Sequence, residues 1–583
     1  MLPKSLLFFS AFFFFFPFLG LAQPDSAYFR SPVDFPIELA GNFCELRNNH
    51  FHSGIDIRAG GKEGLPVYAA AAGFVSRIKV SPFGYGNALY IDHPNGQTTV
   101  YAHLLQFDST IAAWVKLKQY ENELFELDLF PSRNQFVFEK GQIIGLSGNS
   151  GGSEGPHLHF EIRNTQTEFP LNPLQHGIQV IDTVPPTIQG IMAIPTGAGA
   201  KVNGKAQPYW VLDQEKKNAS WQRDTLSDTL IMAGRVNFEL ETWDRESIGG
   251  SKNGVFAYRL LINDSMIFEC TFQDFPFDQT KYINAHLDYY RKKSLKRNLQ
   301  RCYKLSSQKL KFYKLANDSV LPFHFKAGQI YKVVLQANDF KQLTTSKVFF
   351  VKGVSSLGSD IPQLFDTLEE AGEKRFVWNK INSFAKPDFS CDLPAGALYQ
   401  NLDFQYQSKC LSGEWLSNMH KVHTEREPLQ KPVTIKIKLN ANHKANPEKI
   451  LIVRLNEKNQ PHAASVTTVK NNWAEAKIST FGNYIVTVDE KKPLLEPLNF
   501  KGNSPDTAKS EWFFKGLDHL AGIAKYSANI DGQWVLLAYD AKNNLFTCYW
   551  KDVVVAENKK HDLEVVLIDK SGNKAVLKRE FFF

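Results

Sequence analysis

Residues 155–163, Gly155-Pro156-His157-Leu158-His159-Phe160-Glu161-Ile162-Arg163, decide how the first third of this chain is read. Polar and apolar residues alternate along them, the pattern of a β-strand whose successive side chains point to opposite faces. His157 and His159 are two apart and therefore share a face. Upstream, His52-Ser53-Gly54-Ile55-Asp56 sets a histidine and an aspartate four apart, in a segment rich in Ile and Gly with no helix cap before it. That spacing predicts a second strand with both groups on one side. Tyr101-Ala102-His103 adds another imidazole. If the strands are neighbours, four histidines and one aspartate converge.

Zinc is borderline-soft and prefers tetrahedral surroundings, and in catalytic sites it takes three protein ligands and a water. The five groups supply such a set with two imidazoles to spare. The blocks His52-x-Gly-x-Asp56, Tyr101-Ala102-His103-Leu104 and Gly155-Pro156-His157-Leu158-His159-Phe160 resemble the signature blocks of the lysostaphin/LytM-type zinc endopeptidases, which cut peptide bridges in bacterial peptidoglycan. The connecting text is similar too, in Gly64-Leu65-Pro66-Val67-Tyr68-Ala69, Gly84-Tyr85-Gly86-Asn87 and Gly145-Leu146-Ser147-Gly148-Asn149-Ser150-Gly151. The resemblance runs from about residue 40 to about 175. It implies an antiparallel β catalytic domain of the lysostaphin type (a duplicated hybrid motif). It also implies one zinc ion held by His52, Asp56 and His159, with His103 and His157 as catalytic imidazoles. Which of the two is the general base is left open.

Neighbouring residues need separate readings. His50 lies two before His52 and is a rival ligand; the family pattern, with its ligand four before the aspartate, favours His52. His93 sits in the turn Asp92-His93-Pro94-Asn95-Gly96, where Asn-Gly signals a hairpin, and reads as a turn or supporting residue. Asn49 and Arg58 flank the metal block as candidate substrate-binding residues. Gly148 to Gly155 lacks the lysine and helix of a phosphate cradle and reads as a rim loop.

The first 22 residues contain Lys4, an apolar run from Leu6 to Leu19, and Gly20-Leu21-Ala22. They read as a signal peptide, so the mature chain is expected to be exported, to the periplasm, the cell envelope or the medium, with no transmembrane span. Composition fits several folded domains: 583 residues, 43% hydrophobic, 13% aromatic and 22% charged. A formal charge of +7 suits loose attraction to an anionic envelope polymer and does not argue for nucleic acid. The six cysteines, at 44, 270, 302, 391, 410 and 548, form no metal motif. Cys391 with Cys410 is the first candidate for a disulfide.

Beyond the catalytic region (23–180), short aromatic and β-branched runs alternate with turn residues. They predict a mostly β chain with about three β-sandwich domains: an immunoglobulin-like one over 182–353, one of another subtype over 372–490, and a second immunoglobulin-like one over 493–583. The first and last share a closing hairpin, seen in Tyr331 to Asp339 and again in Leu563 to Asp569. Spacing and stabilising the enzyme, or binding peptidoglycan or a protein partner, are their expected roles. Compact members of the resembled family have a short connector where this chain has an insertion at about 107–138. Ala112 to Leu127 there has helical composition and an apolar stripe of Ile111, Trp114, Val115, Leu117, Tyr120 and Leu124. It is either a surface helix or a cap beside the cleft that receives a regulatory protein. Arg291-Lys-Lys-Ser-Leu-Lys-Arg297 reads as a solvated basic face. The expected function is an exported zinc endopeptidase acting on peptide cross-links or stem peptides of peptidoglycan. The alternatives are a non-catalytic LytM-type regulator of cell-wall amidases and a secreted protease of other proteins. The presence of all five groups favours the enzyme.

Overall fold

The strand that carries the histidine pair is the third in a nine-stranded antiparallel sheet. The computed structural model describes residues 28–215, 229–317, 321–355, 374–440, 444–500, 502–553 and 558–583; the expected signal peptide, residues 1–22, lies outside them. The first strands are β1 (Leu39–Gly41), β2 (Ile55–Arg58), β3 (Pro66–Tyr68), β4 (Gly73–Val80), β5 (Ala88–Asp92), β6 (Gln97–Ala102) and β7 (Gln106–Phe107). After α1 (Ser109–Asn122) come β8 (Leu127–Leu129), β9 (Val137–Phe138), β10 (Ile143–Leu146), β11 (His157–Asn164) and β12 (Pro170–Leu171). The main sheet runs β1-β2-β11-β6-β5-β4-β8, with β12 on β11 and β9 on β4, and a small sheet runs β3-β10-β7.

Period-two alternation sorts β11 cleanly. Leu158, Phe160 and Ile162 join Ile55, Ile57, Ile78, Leu89 and Tyr101 in one core. The intervening His157, His159, Glu161 and Arg163 therefore occupy the opposite face, where the site is built. Asp108 caps α1 by accepting from Thr110 N at 2.9 Å, and the helix buries Ile111 and Val115. Leu117 and Leu124 of the expected stripe are exposed. Trp114 packs on Phe136, whereas Tyr120 packs edge-on to Trp534, ring centroids 5.0 Å apart, and Lys116 pairs with Asp552. The insertion is thus a strut between the N-terminal β-structure and the C-terminal strands.

The rest of the described chain is β-rich. Ten strands between Thr187 and Val354 join in one hydrogen-bonded sheet, with short helical segments over Phe277–Leu295. Two five-stranded sheets follow between Asn382 and Val488, then two four-stranded sheets between Leu494 and Phe582. The first of these modules also takes Phe43, Cys44 and Phe51, from the segment between β1 and β2, into its core. Phe51 is 1% exposed and packs against Phe312, Phe275 and Phe272.

Two expectations are corrected. Cys391 and Cys410 are unpaired, the first buried and the second exposed, and the other four cysteines are free and buried. The basic run is not a solvated face at its ends. Arg291 is buried and paired with Asp288 and Glu239. Arg297 is buried between Asp213 and Glu241, its guanidinium 4.2 Å over Trp210.

Candidate active site

Asp56 and His159 are direct cross-strand partners on β2 and β11, and Arg58 with His157 is another pair in that register. His159 also faces Ala102 of β6, the residue before His103. Sheet register alone therefore gathers three of the predicted groups. His52 arrives differently. The expected strand over 52–56 is shorter than predicted, since β2 begins at Ile55. His52 lies in the approach to it, tied by its backbone to Cys44 (2.8 Å) and Glu45 (3.0 Å). The intervening Gly54 is obligatory, because a Cβ there would lie 2.3 Å from the Phe160 carbonyl oxygen.

The side chains meet tightly. His52 Nε2 is 3.0 Å from His159 Nδ1, His159 Nδ1 is 2.9 Å from Asp56 Oδ1, and His52 Nε2 is 3.1 Å from Asp56 Oδ1. On the far side of each ring the other nitrogen donates: His52 Nδ1–H to the Asn42 carbonyl at 2.8 Å, and His159 Nε2–H to Glu161 Oε1 at 2.8 Å. With those protons spent, two lone pairs and a carboxylate oxygen face one another, an arrangement that demands positive charge between them. Tetrahedral zinc with bonds of about 2.0–2.1 Å spaces its ligand atoms by about 3.3 Å, so the observed triangle fits such an ion within a few tenths of an ångström. Burial works against charging His159, yet its bonds to Asp56 and Glu161 outweigh that and push it up to about 9. Burial likewise opposes ionisation of Asp56, but His52, His157 and His159 hold its carboxyl well below the usual range. Its other oxygen accepts from Arg47 Nη2 at 2.9 Å.

Two more imidazoles stand beside this triangle. His103 Nδ1–H donates to the Ser150 carbonyl at 2.9 Å, and His157 Nδ1–H to the Gly155 carbonyl at 2.8 Å. The Gly148–Gly155 loop thus fixes the tautomer of both and turns each Nε2 lone pair inward. Their ring centroids are 4.8 Å apart. His157 Nε2 is buried without a hydrogen-bond partner among the described residues and lies 3.4 Å from Asp56 Oδ1. Burial, with His159 and His157 adding to it, pushes His103 down to about 3 and keeps it neutral. His103 also has a left-handed backbone, φ +59°, held by its N–H donating to Tyr85 O at 2.9 Å. Such conformations cost about 1–3 kcal/mol and concentrate at functional sites.

Behind the triangle Glu161, fully buried, accepts from His159, Tyr85 (2.6 Å), Ser53 (2.7 Å) and Arg163 (2.5 Å). The whole opens into a cleft of about 890 Å³, walled in part by Arg47, Tyr85 and Glu154 and, from the next module, by Phe277 and Thr280. Arg163 lies 4.5 Å over the Phe277 ring, and Thr280 Oγ1 accepts from Phe51 N at 2.9 Å. Sequence reasoning assigned no role to Arg47, Tyr85, Glu161, Arg163 or this downstream wall. Of the flanking candidates, Arg58 lines the cleft and donates to Ser251. Asn49 is turned away to accept from Asn284 Nδ2 at 3.0 Å. His50 is exposed and bonded to the Asn48 carbonyl, and His93 is bonded to Ala72 O and Thr99; neither joins the triangle.

Residues 50–120 match the family model described as Peptidase family M23. The chain carries an M23 peptidase domain. Residues 373–489 match a second model, described as a Zu5-like domain. Among curated proteins, DD-carboxypeptidase/endopeptidase Mpg of Neisseria meningitidis is 38% identical over 130 residues, 22% of this chain and 23% of that protein. Peptidoglycan DD-endopeptidase ShyA of Vibrio cholerae is 30% identical over 165 residues, 27% of this chain and 32% of that protein. The chain thus covers less than a third of the length of either relative. A solved zinc-containing peptidase from Vibrio cholerae is 26% identical, with a TM-score of 0.20, over 26% of this chain and 40% of that one.

Proposed function

We propose that this M23 chain is an exported zinc-dependent endopeptidase that hydrolyses peptide cross-links or stem peptides of bacterial peptidoglycan. The observation that carries the reading is the set of four tautomer-fixed imidazoles and one carboxylate turned toward the same end of the cleft. The matching relatives are named for DD-endopeptidase activity, which favours cross-links between D-amino acids as the bonds cut. His52, Asp56 and His159 are the residues that would hold the zinc. When bound there, zinc supplies Lewis-acid polarisation of a peptide carbonyl and acidifies a water.

The chain's own groups account for the proton traffic. His103 and His157 each keep an Nε2 lone pair toward the cleft, so either can take the proton from the attacking water and hand it, directly or through the other ring, to the amine nitrogen as the C–N bond breaks. Asp56 and Glu161 confine positive charge to the ligand corner, on the His159 ring between them. Phe277, Thr280 and the 148–155 loop narrow the approach, as suits an extended peptide. Export rests on the leader-like first 22 residues. Among the described residues no helix is long and apolar enough to cross a membrane.

The test is mass spectrometry of muropeptides released from purified sacculi. Cross-linked dimers should fall to monomers, a chelator should stop the reaction, and zinc should restore it. Unchanged sacculi with a fully zinc-loaded chain would refute the reading.

A further inference from the structure

A second set of converging acceptors lies where the linker enters the first downstream module. Asp182 is in the linker, Asp244 directly follows the strand Leu230–Trp243, and Asp339 directly follows the strand Ile330–Asn338. Each offers a carboxylate oxygen within 4.8 Å of one from each of the others. Asp244 and Asp339 are 3% and 0% exposed. Three acidic residues in proximity would mean little by themselves. Here, however, Asp182 Oδ2, Asp244 Oδ1 and Asp339 Oδ2 are each buried without a hydrogen-bond donor among the described residues.

No side-chain ion pair closes on them among the described residues, although the Lys341 charge reaches Asp182. Arg245 lies over the Trp243 ring at 4.4 Å and Lys341 over the Phe340 ring at 5.2 Å. Opposite Asp244, Asn253 is bound through two backbone hydrogen bonds of 2.9 and 2.8 Å, and its Oδ1 is also buried without a donor. The donor set is all oxygen, with no nitrogen or sulfur, contributed by a linker and two strand ends. That is what a hard cation with irregular, high coordination requires.

We propose that Asp182, Asp244 and Asp339 hold a divalent cation of the calcium type, which clamps the linker to the first downstream module. The clamp bears on the cleft by a short path. Gly254, next to Asn253, exchanges two hydrogen bonds with the Asn42 side chain, 2.6 and 3.0 Å, and the Asn42 carbonyl is the acceptor that orients His52.

The C-terminal module repeats the arrangement with Asp489, Asp518 and Asp569, but none of their oxygens is buried without a donor, whereas in the first cluster the bonds from Val184 N and Leu343 N fall on the other oxygens of Asp182 and Asp339. Asp569 accepts twice from Asn573, Asp489 accepts from Ser571, and Asp518 accepts from Leu520 and Gly522. The proposal is confined to the first cluster, and the second is its control.

The test uses the full zinc-loaded chain, freed of calcium, with terbium as a luminescent probe excited through Trp243. Sensitised emission should saturate with one ion and be displaced by calcium, and calcium should raise the melting temperature. Asp244→Asn and Asp339→Asn should each weaken terbium binding at least tenfold and remove the calcium-dependent rise, while Asp489→Asn leaves both intact. Both variants replace a buried carboxyl that lacks a donor with a neutral amide of the same size, so their calcium-free forms should melt no lower than the calcium-free wild type. Absence of emission and of a calcium effect in the wild type would overturn the proposal and leave a shared proton as the occupant. So would emission that survives in both variants or disappears only in Asp489→Asn. If one variant fails to fold, the wild-type titration and the other variant still decide. None of these readouts depends on peptide hydrolysis.

Discussion

His159 and His286 are both buried, at 4% and 1% exposure, yet they do opposite jobs. His286, in the first downstream module, spends both ring nitrogens: Nε2–H donates to Gln300 Oε1 and Nδ1 accepts from Tyr313 OH, each at 2.9 Å. His159 spends one on Glu161 and points the other at two further acceptors. The arginine-rich interior of the downstream module follows the first pattern, with Arg291 and Arg301 meeting Asp288, Glu239, Tyr303 and main-chain carbonyls. Burial of polar groups therefore does not mark the site. What marks it is a surplus of acceptors whose donors have all been used elsewhere.

The sharpest way to break this contrast is to remove a ligand. Asp56→Ala or His159→Ala should empty the site of zinc, measured by plasma mass spectrometry, and lower hydrolysis of sacculi by at least about 10³-fold. His286→Gln should do neither. Next, His103→Ala and His157→Ala should retain zinc but lose about 10²–10⁴-fold in kcat, the usual worth of a positioned acid or base. Zinc loss in these two variants would move them from catalysis to coordination. Smaller again is Glu161→Gln, which still accepts from His159 but lacks the charge that draws positive charge to its ring. Zinc affinity should fall about 10–100-fold, read by competition with a chromogenic chelator, with kcat of the fully loaded enzyme moved less.

These contrasts also explain what was legible in the sequence. Period-two spacing put His157 and His159 on one face, and the same period, extended two and four residues, points to Glu161 and Arg163. Those residues were within reach of the reading that found the histidines. The His52 geometry was not. It depends on Phe51 being buried among Phe272, Phe275 and Phe312, more than two hundred residues away, and no local pattern carries that contact. The groups that set the tautomers of His52, His103 and His157 are main-chain carbonyls of Asn42, Ser150 and Gly155, which every residue possesses and no sequence advertises. The mostly β character followed from alternation and turn residues. The role of the basic run did not, because charge alone does not distinguish a guanidinium in water from one buried against Trp210.

The gentlest probe of the comparison is acid. Burial, only partly offset by the bond to Gln300, lowers His286 to about 4, while an unfolded histidine titrates near 6.5. The folded state thus holds the neutral ring. Its contribution is fully present above about pH 6.5 and is lost progressively as pH falls toward 4, because the unfolded chain then binds the proton first. At pH 5 the loss is about 2 kcal/mol from this one residue. His420 and His423, also lowered to about 4 by burial, add to the trend in the 374–488 module. Thermal unfolding of the full chain from pH 7 to pH 5 should therefore show a falling midpoint. His286→Gln should flatten the fall for the first downstream module, since an amide bonds to Tyr313 or Gln300 without titrating. An unchanged slope in that variant would mean that the ring is not held neutral. The division between imidazoles that stabilise and imidazoles that react would then need another basis.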